Sequence, residues 1–424
     1  MTRIAIVGSG YMGGGMAQVF ALAGHDVVLS DVSAEIAASN LERVRRETAE
    51  FEEQGLYRAG STDLIVRNIS AAASIEEAVA RAEFVEEAVP ERIDIKHDTL
   101  RRISLANPTA VIGSNTSTIS IARLAEPVEN PARFLGIHFS NPAPFIPGVE
   151  IIPHAGTDEA AIAFAEQIVG GSGKVTARIT DATGFVLNRL QYALFHEATQ
   201  LVDEGVASVE DIDAVVRSTF GFRLPFFGPF AIADMAGLDV YACCYAPLQT
   251  GFPDRFATPT VLSEHVDRGE LGTKTGGGFR QIEPARIAEL VAYRDKAYAR
   301  MAHLLDELGQ VAAAVEHERV DHDPLARAAA DLAQRLAEGL EGRRIGEADL
   351  SALEVGGRLA VGDQDDLARR GPLAGQQIAR DHQPVLQVGA VDELLEVEAD
   401  QLLAREGAGP LGEADDAQHV GRVG

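Results

Sequence analysis

Over roughly the first 180 positions, short unbroken apolar runs alternate with longer stretches in which apolar residues recur every three or four places. Ile4-Ala5-Ile6-Val7 is the first run of strand length, and Val27-Val28-Leu29 is the second. Phe84 to Val89 (stopped by Pro90), Ala110 to Gly113, Phe134 to Phe139, Val149 to Ile152 and Lys174 to Ile179 have the same character, and Leu64 to Ile69 is expected to be a further short strand. Between them, Gly14 to about Gly24, Ser33 to about Glu53, Ser74 to Ala82 and Asp94 to Leu105 carry helical periodicity, with Ser33 placed as an N-cap. Continuous apolar strands separated by helices predict an α/β domain whose mostly parallel sheet is covered on both faces.

The pattern changes past Asp181. Residues 184–204 place Val186, Leu190, Leu194, Ala198 and Leu201 on one helical face, and further helices are expected at 209–218, 229–244 and 286–308. The chain therefore divides into an α/β domain over 1–180 and an all-helical domain over 181–309. From 310 to 424 the composition shifts again: lysine, aromatic residues, methionine and threonine are absent from Val311 onward, and Ser351 is the only serine. A charged amphipathic helix fits Leu325 to Leu340, but a segment without aromatics has little to specify a core. The expectation for 310–424 is a poorly ordered or marginally helical tail.

Charge and cysteine usage narrow the function classes. The 424 residues carry a formal charge of −27, which argues against a general nucleic-acid or anionic-membrane surface. No apolar run approaches the ~18 residues of a transmembrane helix, and a strand begins almost at once, leaving no room for a signal peptide. The two cysteines, Cys243 and Cys244, are adjacent, which suits neither a disulfide framework nor a zinc site; buried thiols in a reducing, cytoplasmic compartment are expected. The histidines show no metal-ligand spacing, so no metal site is expected.

The candidate chemistry starts at the first strand. Gly8, Gly10 and Gly13 fit G-x-G-x-x-G between that strand and a helix, enclosing Ser9, Tyr11 and Met12. Gly8 permits a tight turn, Gly10 a close backbone approach to a pyrophosphate, and Gly13 close packing of helix on strand. Asp31 ends the second strand, 18 residues after Gly13. A carboxylate there suits ribose hydroxyls and repels a 2′-phosphate, favouring NAD over NADP. Together these features predict a Rossmann-type, doubly wound sheet. Gly170-Gly171-Ser172-Gly173-Lys174 has the wrong spacing for a phosphate loop and reads as a turn into a strand. His138 is followed twelve residues later by Glu150, across a segment with prolines at 142, 144 and 147. A histidine held by a carboxylate suits a base that removes a hydroxyl proton as hydride leaves carbon.

Eight motifs occur in one order: G-x-G-x-M-G, S-N-T-S (114–117), H-F-x-N-P (138–142), V-E-I (149–151), D-x-T-G-F-x-x-N-R (181–189), G-P-F (228–230), G-L-D (237–239) and K-T-G-x-G-F (274–279). In this the chain resembles the L-3-hydroxyacyl-CoA dehydrogenase family, from residue 1 to about 300. The resemblance implies that His138 is the general base, Glu150 its orienting partner, and Ser117 and Asn188 hydrogen-bond partners of the reacting oxygen. It implies that the Gly8–Gly13 loop and Asp31 hold the adenosine half of NAD, and that Glu91, Lys96, Asn141 and Lys274 line the nucleotide or nicotinamide site. It also implies a homodimer built on the helical domain.

The departures concern substrate. Acyl-CoA members carry lysine and serine where this chain has Glu47 to Gln54, an acidic stretch ill-suited to a phosphate-rich tail. Arg43, Arg45 and Arg46, one turn earlier, are the candidate replacements. Arg223 is a candidate carboxylate clamp. Oxidation of a 3-hydroxyacyl-CoA is the leading expectation. The alternatives are the same machinery on a free hydroxy acid or a hydroxylated or formylated pyridine carboxylate, and, from another class, an NAD-binding protein without catalysis.

Overall fold

The fold was taken from a computed structural model, which describes residues 1–309; the tail expectations for 310–424 lie outside the described residues. The α/β part runs β1 (Arg3–Val7), α1 (Tyr11–Leu22), β2 (Asp26–Ser30), α2 (Ala34–Glu53), α3 (Ser61–Asn68), β3 (Ile69–Ala71), α4 (Ile75–Val79), β4 (Phe84–Glu87), α5 (Ile93–Ala106), β5 (Val111–Ser114), α6 (Ile121–Leu124), β6 (Phe134–Phe139), β7 (Gly148–Pro153), α7 (Glu159–Gly171) and β8 (Val175–Arg178). The strands form one sheet in the order β3-β2-β1-β4-β5-β6-β7-β8, parallel except for the antiparallel β6–β7 pair.

Strand periodicity divides the core. Ile4, Ile6 and Phe84 face one layer with α1, α2, α3 and α7 side chains, among them Met16, Phe20, Val44, Ile65 and Ala165. Ala5, Val7 and Val85 face the other, with Ala78, Leu100, Ile103, Ile121 and Leu124 from α4 to α6. Both faces are covered, as unbroken apolar strands require. The sheet winds outward in both directions from β1, which pairs with β2 and β4. The crevice beyond the carboxyl ends of β1 and β4 is thus the place where such a sheet binds ligands.

Two segments depart from their local pattern. Leu64 to Ile69, expected as a strand, is mostly helix α3, and β3 starts only at Ile69. Its buried positions, Ser61, Ile65 and Asn68, are spaced for a helix, while Val66 is exposed. Glu52, at the end of α2, accepts from the backbone N–H groups of Gly60 and Thr62 and from the Thr62 hydroxyl, capping the helix start from another element.

The helical part comprises α8 (Leu187–Asp203), α9 (Val209–Ser218), α10 (Phe220–Arg223), α11 (Pro229–Ala236), α12 (Leu238–Gly251), α13 (Thr260–Asp267) and α14 (Pro284–Leu308). The helix expected over 229–244 is broken at Gly237. That residue has φ +103°, and a Cβ there would lie 2.6 Å from the Lys274 side chain. The core here is modest, around Phe227 and Ile232, and around Leu238 and Leu262. Cys243 and Cys244 are exposed, not buried as expected. None of the helices among the described residues is long and apolar enough to cross a membrane.

Candidate active site

The glycine turn follows directly from β1. Gly8 takes φ +98°, and a Cβ there would meet the Ala88 backbone at 2.7 Å. The turn therefore lies flush against the end of β4, and only glycine fits. A Cβ on Gly13 would strike the Gly8 carbonyl and Ile6. At Gly10, by contrast, an added Cβ meets nothing within 4 Å. Packing does not require glycine there, but a ligand lying along the first turn of α1 would. Helix α1 starts at Tyr11, earlier than Gly14, so its free N–H groups border the turn.

Asp31 reaches this turn. Its Oδ2 accepts from the Ser9 N–H at 2.7 Å and the Ser9 hydroxyl at 2.6 Å, and its Oδ1 accepts from the Val32 N–H at 2.8 Å. A carboxylate offers about four acceptor positions, so Asp31 retains capacity for a ribose hydroxyl. These features fit an NAD adenosine and pyrophosphate.

The second half of the site gathers at the carboxyl ends of β4, β5 and β6. His138 and Glu150 are directly paired residues of the antiparallel β6–β7 ladder. Glu150 Oε2 lies 2.8 Å from His138 Nδ1. A carboxylate only accepts, so Nδ1 carries the proton and Nε2 is free to act as a base. Nε2 is 3.1 Å from the Ser117 hydroxyl. Glu150 Oε1 accepts from the Val186 and Leu187 N–H groups at 3.0 and 2.9 Å. Burial pushes the Glu150 carboxyl up, but the His138 imidazole and those two amides outweigh it and hold it below its ordinary value. The amides are aimed by the turn Gly184-Phe185, where Gly184 (φ +75°) and Phe185 (φ +50°) are both left-handed. For phenylalanine that is a strained conformation. Its ring lies 5.8 Å from the imidazole.

The side chains of Ser114-Asn115-Thr116-Ser117 each reach a different partner in the site. Ser114 donates to Glu87, Asn115 accepts from the Phe139 N–H, Thr116 donates to Glu91, and Ser117 meets His138. Glu91 Oε1 also accepts from the Ser117 and Thr118 amides, and Lys96, fully buried, pairs with Glu87 at 2.8 Å and Glu91 at 3.5 Å. Burial raises Glu91, yet the Thr116 hydroxyl, Lys96 and the amides bring it below its usual value. Asn188 Nδ2 donates to the Ser117 carbonyl at 2.8 Å, and Asp181 accepts from the Ser120 hydroxyl and the Ala122 N–H. The start of the helical domain is thereby bound to the loop carrying Ser117.

The structure thus joins Ser117, His138, Glu150, Asn188, Glu91 and Lys96 in one network. Ser9 and Asp31 belong to the glycine turn, with Tyr11 exposed and Met12 half-buried beside it. Asn141 is exposed at the end of β6. Lys274 is not joined to that network; its ammonium pairs with both oxygens of Asp239 in the helical domain. Sequence reasoning passed over Glu87, Asp181 and the amides of Val186 and Leu187, although the D-x-T-G-F motif marks the turn. Arg43 carried no such mark. It donates to the Ser9 and Gly10 carbonyls and pairs with Glu47, while Arg45 pairs with Glu42 and Arg46 lies 4.0 Å from Glu50. No cluster of His, Cys, Asp or Glu suited to a metal occurs among the described residues.

The sequence matches the 3-hydroxyacyl-CoA dehydrogenase NAD binding domain over residues 3–182 and the C-terminal domain of the same enzymes over 184–282. The chain belongs to the 3-hydroxyacyl-CoA dehydrogenase family. It is thus an NAD-dependent oxidoreductase acting on a CH–OH group. A 3-hydroxybutyryl-CoA dehydrogenase of Bradyrhizobium diazoefficiens is 34% identical over 286 residues, covering 67% of this chain and 96% of that one. A 5-formyl-3-hydroxy-2-methylpyridine 4-carboxylate 5-dehydrogenase of Mesorhizobium japonicum is 33% identical over 312 residues, 72% of this chain and 98% of that one. Among solved structures, a 3-hydroxyacyl-CoA dehydrogenase from Archaeoglobus fulgidus aligns with a TM-score of 0.61 at 31% identity, covering 72% of this chain and all of that one.

Proposed function

We propose that this chain oxidises the hydroxyl carbon of a 3-hydroxyacyl substrate to the 3-oxo product, with His138 as general base. The observation carrying the proposal is the continuous relay from the Ser117 hydroxyl through His138 to Glu150 and the amides of Val186 and Leu187. NAD, when bound, supplies the hydride acceptor. Nε2 of His138 takes the hydroxyl proton, and the resulting imidazolium is matched by the Glu150 carboxylate. Ser117 orients the substrate oxygen toward Nε2, and Asn188 holds Ser117 while keeping its second amide N–H for that oxygen. Asp31 and the glycine turn bind the adenosine half of the cofactor, with Glu91, Lys96 and Asn141 at the nicotinamide end; Lys274, which the family resemblance would place there, is paired with Asp239.

A second reading, a free carboxylate substrate without CoA, is favoured by α2. Its acidic end stands where phosphates would need cations, and Arg43 and Arg45 are committed to acids of their own helix. The Mesorhizobium relative, named for a pyridine carboxylate, makes that chemistry reasonable on this scaffold. The relatives named for 3-hydroxybutyryl-CoA keep the thioester reading in front.

NADH absorbance after mixing NAD with 3-hydroxybutyryl-CoA, free 3-hydroxybutyrate or pyridine carboxylates tests both. His138→Gln should lower kcat by about 10²–10⁴-fold with NADH binding intact. Binding of NAD without turnover of any candidate would favour a non-catalytic protein, and turnover surviving in His138→Gln would remove the base assignment.

A further inference from the structure

The connection between β6 and β7 does more than join two strands. It begins after Phe139, runs through Asn141 to Pro147, and ends at Gly148, two residues before Glu150. The ladder register places His138 opposite Glu150, and a one-residue slip would turn Glu150 to the other face of the sheet. The length and shape of this connection therefore set the His138–Glu150 contact.

Three elements hold it. On α1, Gly15 leaves room for Pro144: a Cβ there would stand 3.1 Å from the proline ring and 3.3 Å from Ala143. From α2 and the turn beyond it, Phe51 and Tyr57 pack on Phe145 with ring centroids 5.1 and 5.9 Å away. The third hold is unusual. Lys174, in the turn before β8, is buried, and its ammonium donates to the carbonyls of Ala143 at 2.5 Å, Ile146 at 2.8 Å and Pro144 at 3.3 Å. All three donors of the ammonium are used. The next residue continues the grip, with Val175 N–H donating to the Pro147 carbonyl at 2.8 Å.

These partners are carbonyls and not a carboxylate. Burying a cation without a counter-ion is costly, and burial alone pulls the Lys174 amine below its ordinary value. A turn that needed only to close the sheet edge would bury an apolar side chain at no such cost. What the ammonium achieves, and an apolar group cannot, is to draw successive carbonyls of one loop to a single point.

We propose that Lys174 is a positioning residue, whose ammonium fixes the 141–147 connection and through it the alignment of Glu150 on His138. This rests on the catalytic reading above and names a residue outside the His138 network. Its ammonium contacts lie on this connection, not on the glycine turn or the His138 network.

The test is a double-mutant cycle in the full-length chain, with amide exchange as a measurement that needs no variant. Lys174→Met keeps the stem and removes the ammonium. It should lower kcat by about 10-fold to 10²-fold, the scale of a misplacement near 1 Å, while NADH affinity, set chiefly by the glycine turn and Asp31, falls by less than kcat even though Asn141 lies in the same connection. If Lys174 acts through Glu150, the double variant with Glu150→Gln loses no more than Glu150→Gln alone. Losses that multiply, or a Lys174→Met enzyme with unchanged kcat, overturn the proposal. In the unmodified protein, the backbone amides of Phe145 and Ile146, which donate to the Pro142 carbonyl, should exchange as slowly as those of β6. Exchange as fast as in the exposed turn at Gly269 overturns it even if the variants fail to fold. His138→Gln retaining activity would instead unseat the catalytic reading, so the two failures are distinguishable.

Discussion

Glu86 lies in β4 with its side chain buried on the α1 face of the sheet, and neither carboxyl oxygen has a hydrogen-bond partner among the described residues. Burial, and then the neighbouring Glu87, push its carboxyl well above the ordinary value, with Lys96 opposing. Glu87, next along the strand, is also raised by burial, but Lys96, the Ser114 hydroxyl and the Val89 amide act against the rise. Glu86 is thus held neutral where the unfolded chain would ionise it. Between the unfolded and folded values the native state binds more protons, so stability falls as pH rises through that window. Glu86→Met, similar in length and apolar, should flatten this fall with rising pH and raise stability by about 1–3 kcal/mol, the cost of an unsatisfied buried group. Urea midpoints across the pH range would check it; an unchanged pH slope would mean that Glu86 is already satisfied in solution. At this scale the sequence motifs pointed to four residues that the fold brings into one hydrogen-bonded network. His138, Glu150, Ser117 and Asn188 stand in motifs with chemistry of their own. The sequence carried nothing of Glu86, because an acid in an apolar strand resembles a strand-end charge until its neighbours are known.

Elements were legible where local pattern and tertiary demand agree. Strands β1, β2 and β6 follow the apolar runs closely, because burial on both faces leaves no room for polar interruption. Disagreement arose where a partner from elsewhere decides. Leu64-Ile65-Val66 has strand composition, yet Glu52 caps it into a helix that buries only Ile65 from this run. Gly237 is the converse case, a single residue that divides a predicted helix in two. Its φ of +103° is a backbone conformation that disfavours a Cβ, and a Cβ there would also displace the ends of the Lys274 and Asp239 side chains. Gly237→Ala should cost about 1–3 kcal/mol, seen as a lower urea midpoint with an unchanged slope. A variant as stable as the original would show that the α11–α12 junction relaxes freely.

For the whole molecule, the two domains differ in how they bury apolar surface. The sheet domain has two full core layers, whereas α8, α9 and α10 bury no residue at all. Leu190, Tyr192, Leu194 and Phe195 on α8 are exposed, and Tyr192, Leu194 and Phe195 line an apolar groove with Ile212 and Val216 of α9. A contiguous apolar face of this kind marks an interaction surface. The homodimer that the family resemblance implies would be expected to cover it. Phe195→Asp should then shift the protein from dimer to monomer in sedimentation equilibrium. An unaltered mass would place the interface elsewhere, and a monomeric parent protein would remove the expectation.

The sequence by itself determined most of the strands, the glycine turn, the acid ending β2 and the passage from sheet to helices, because each is written in residue type and spacing over a few positions. The tertiary structure alone decided that β7 runs antiparallel to β6, that Glu52 caps α3, and that Ser9 holds Asp31. It alone decided that Lys174 gathers three carbonyls and that Arg43 covers the glycine turn. In the Lys174, Arg43 and Glu52 contacts the partner is a backbone carbonyl or amide, groups that nearly every residue possesses. A contact to a group common to the whole chain leaves no trace in the choice of amino acid at the far end, and only folding reveals which one it finds.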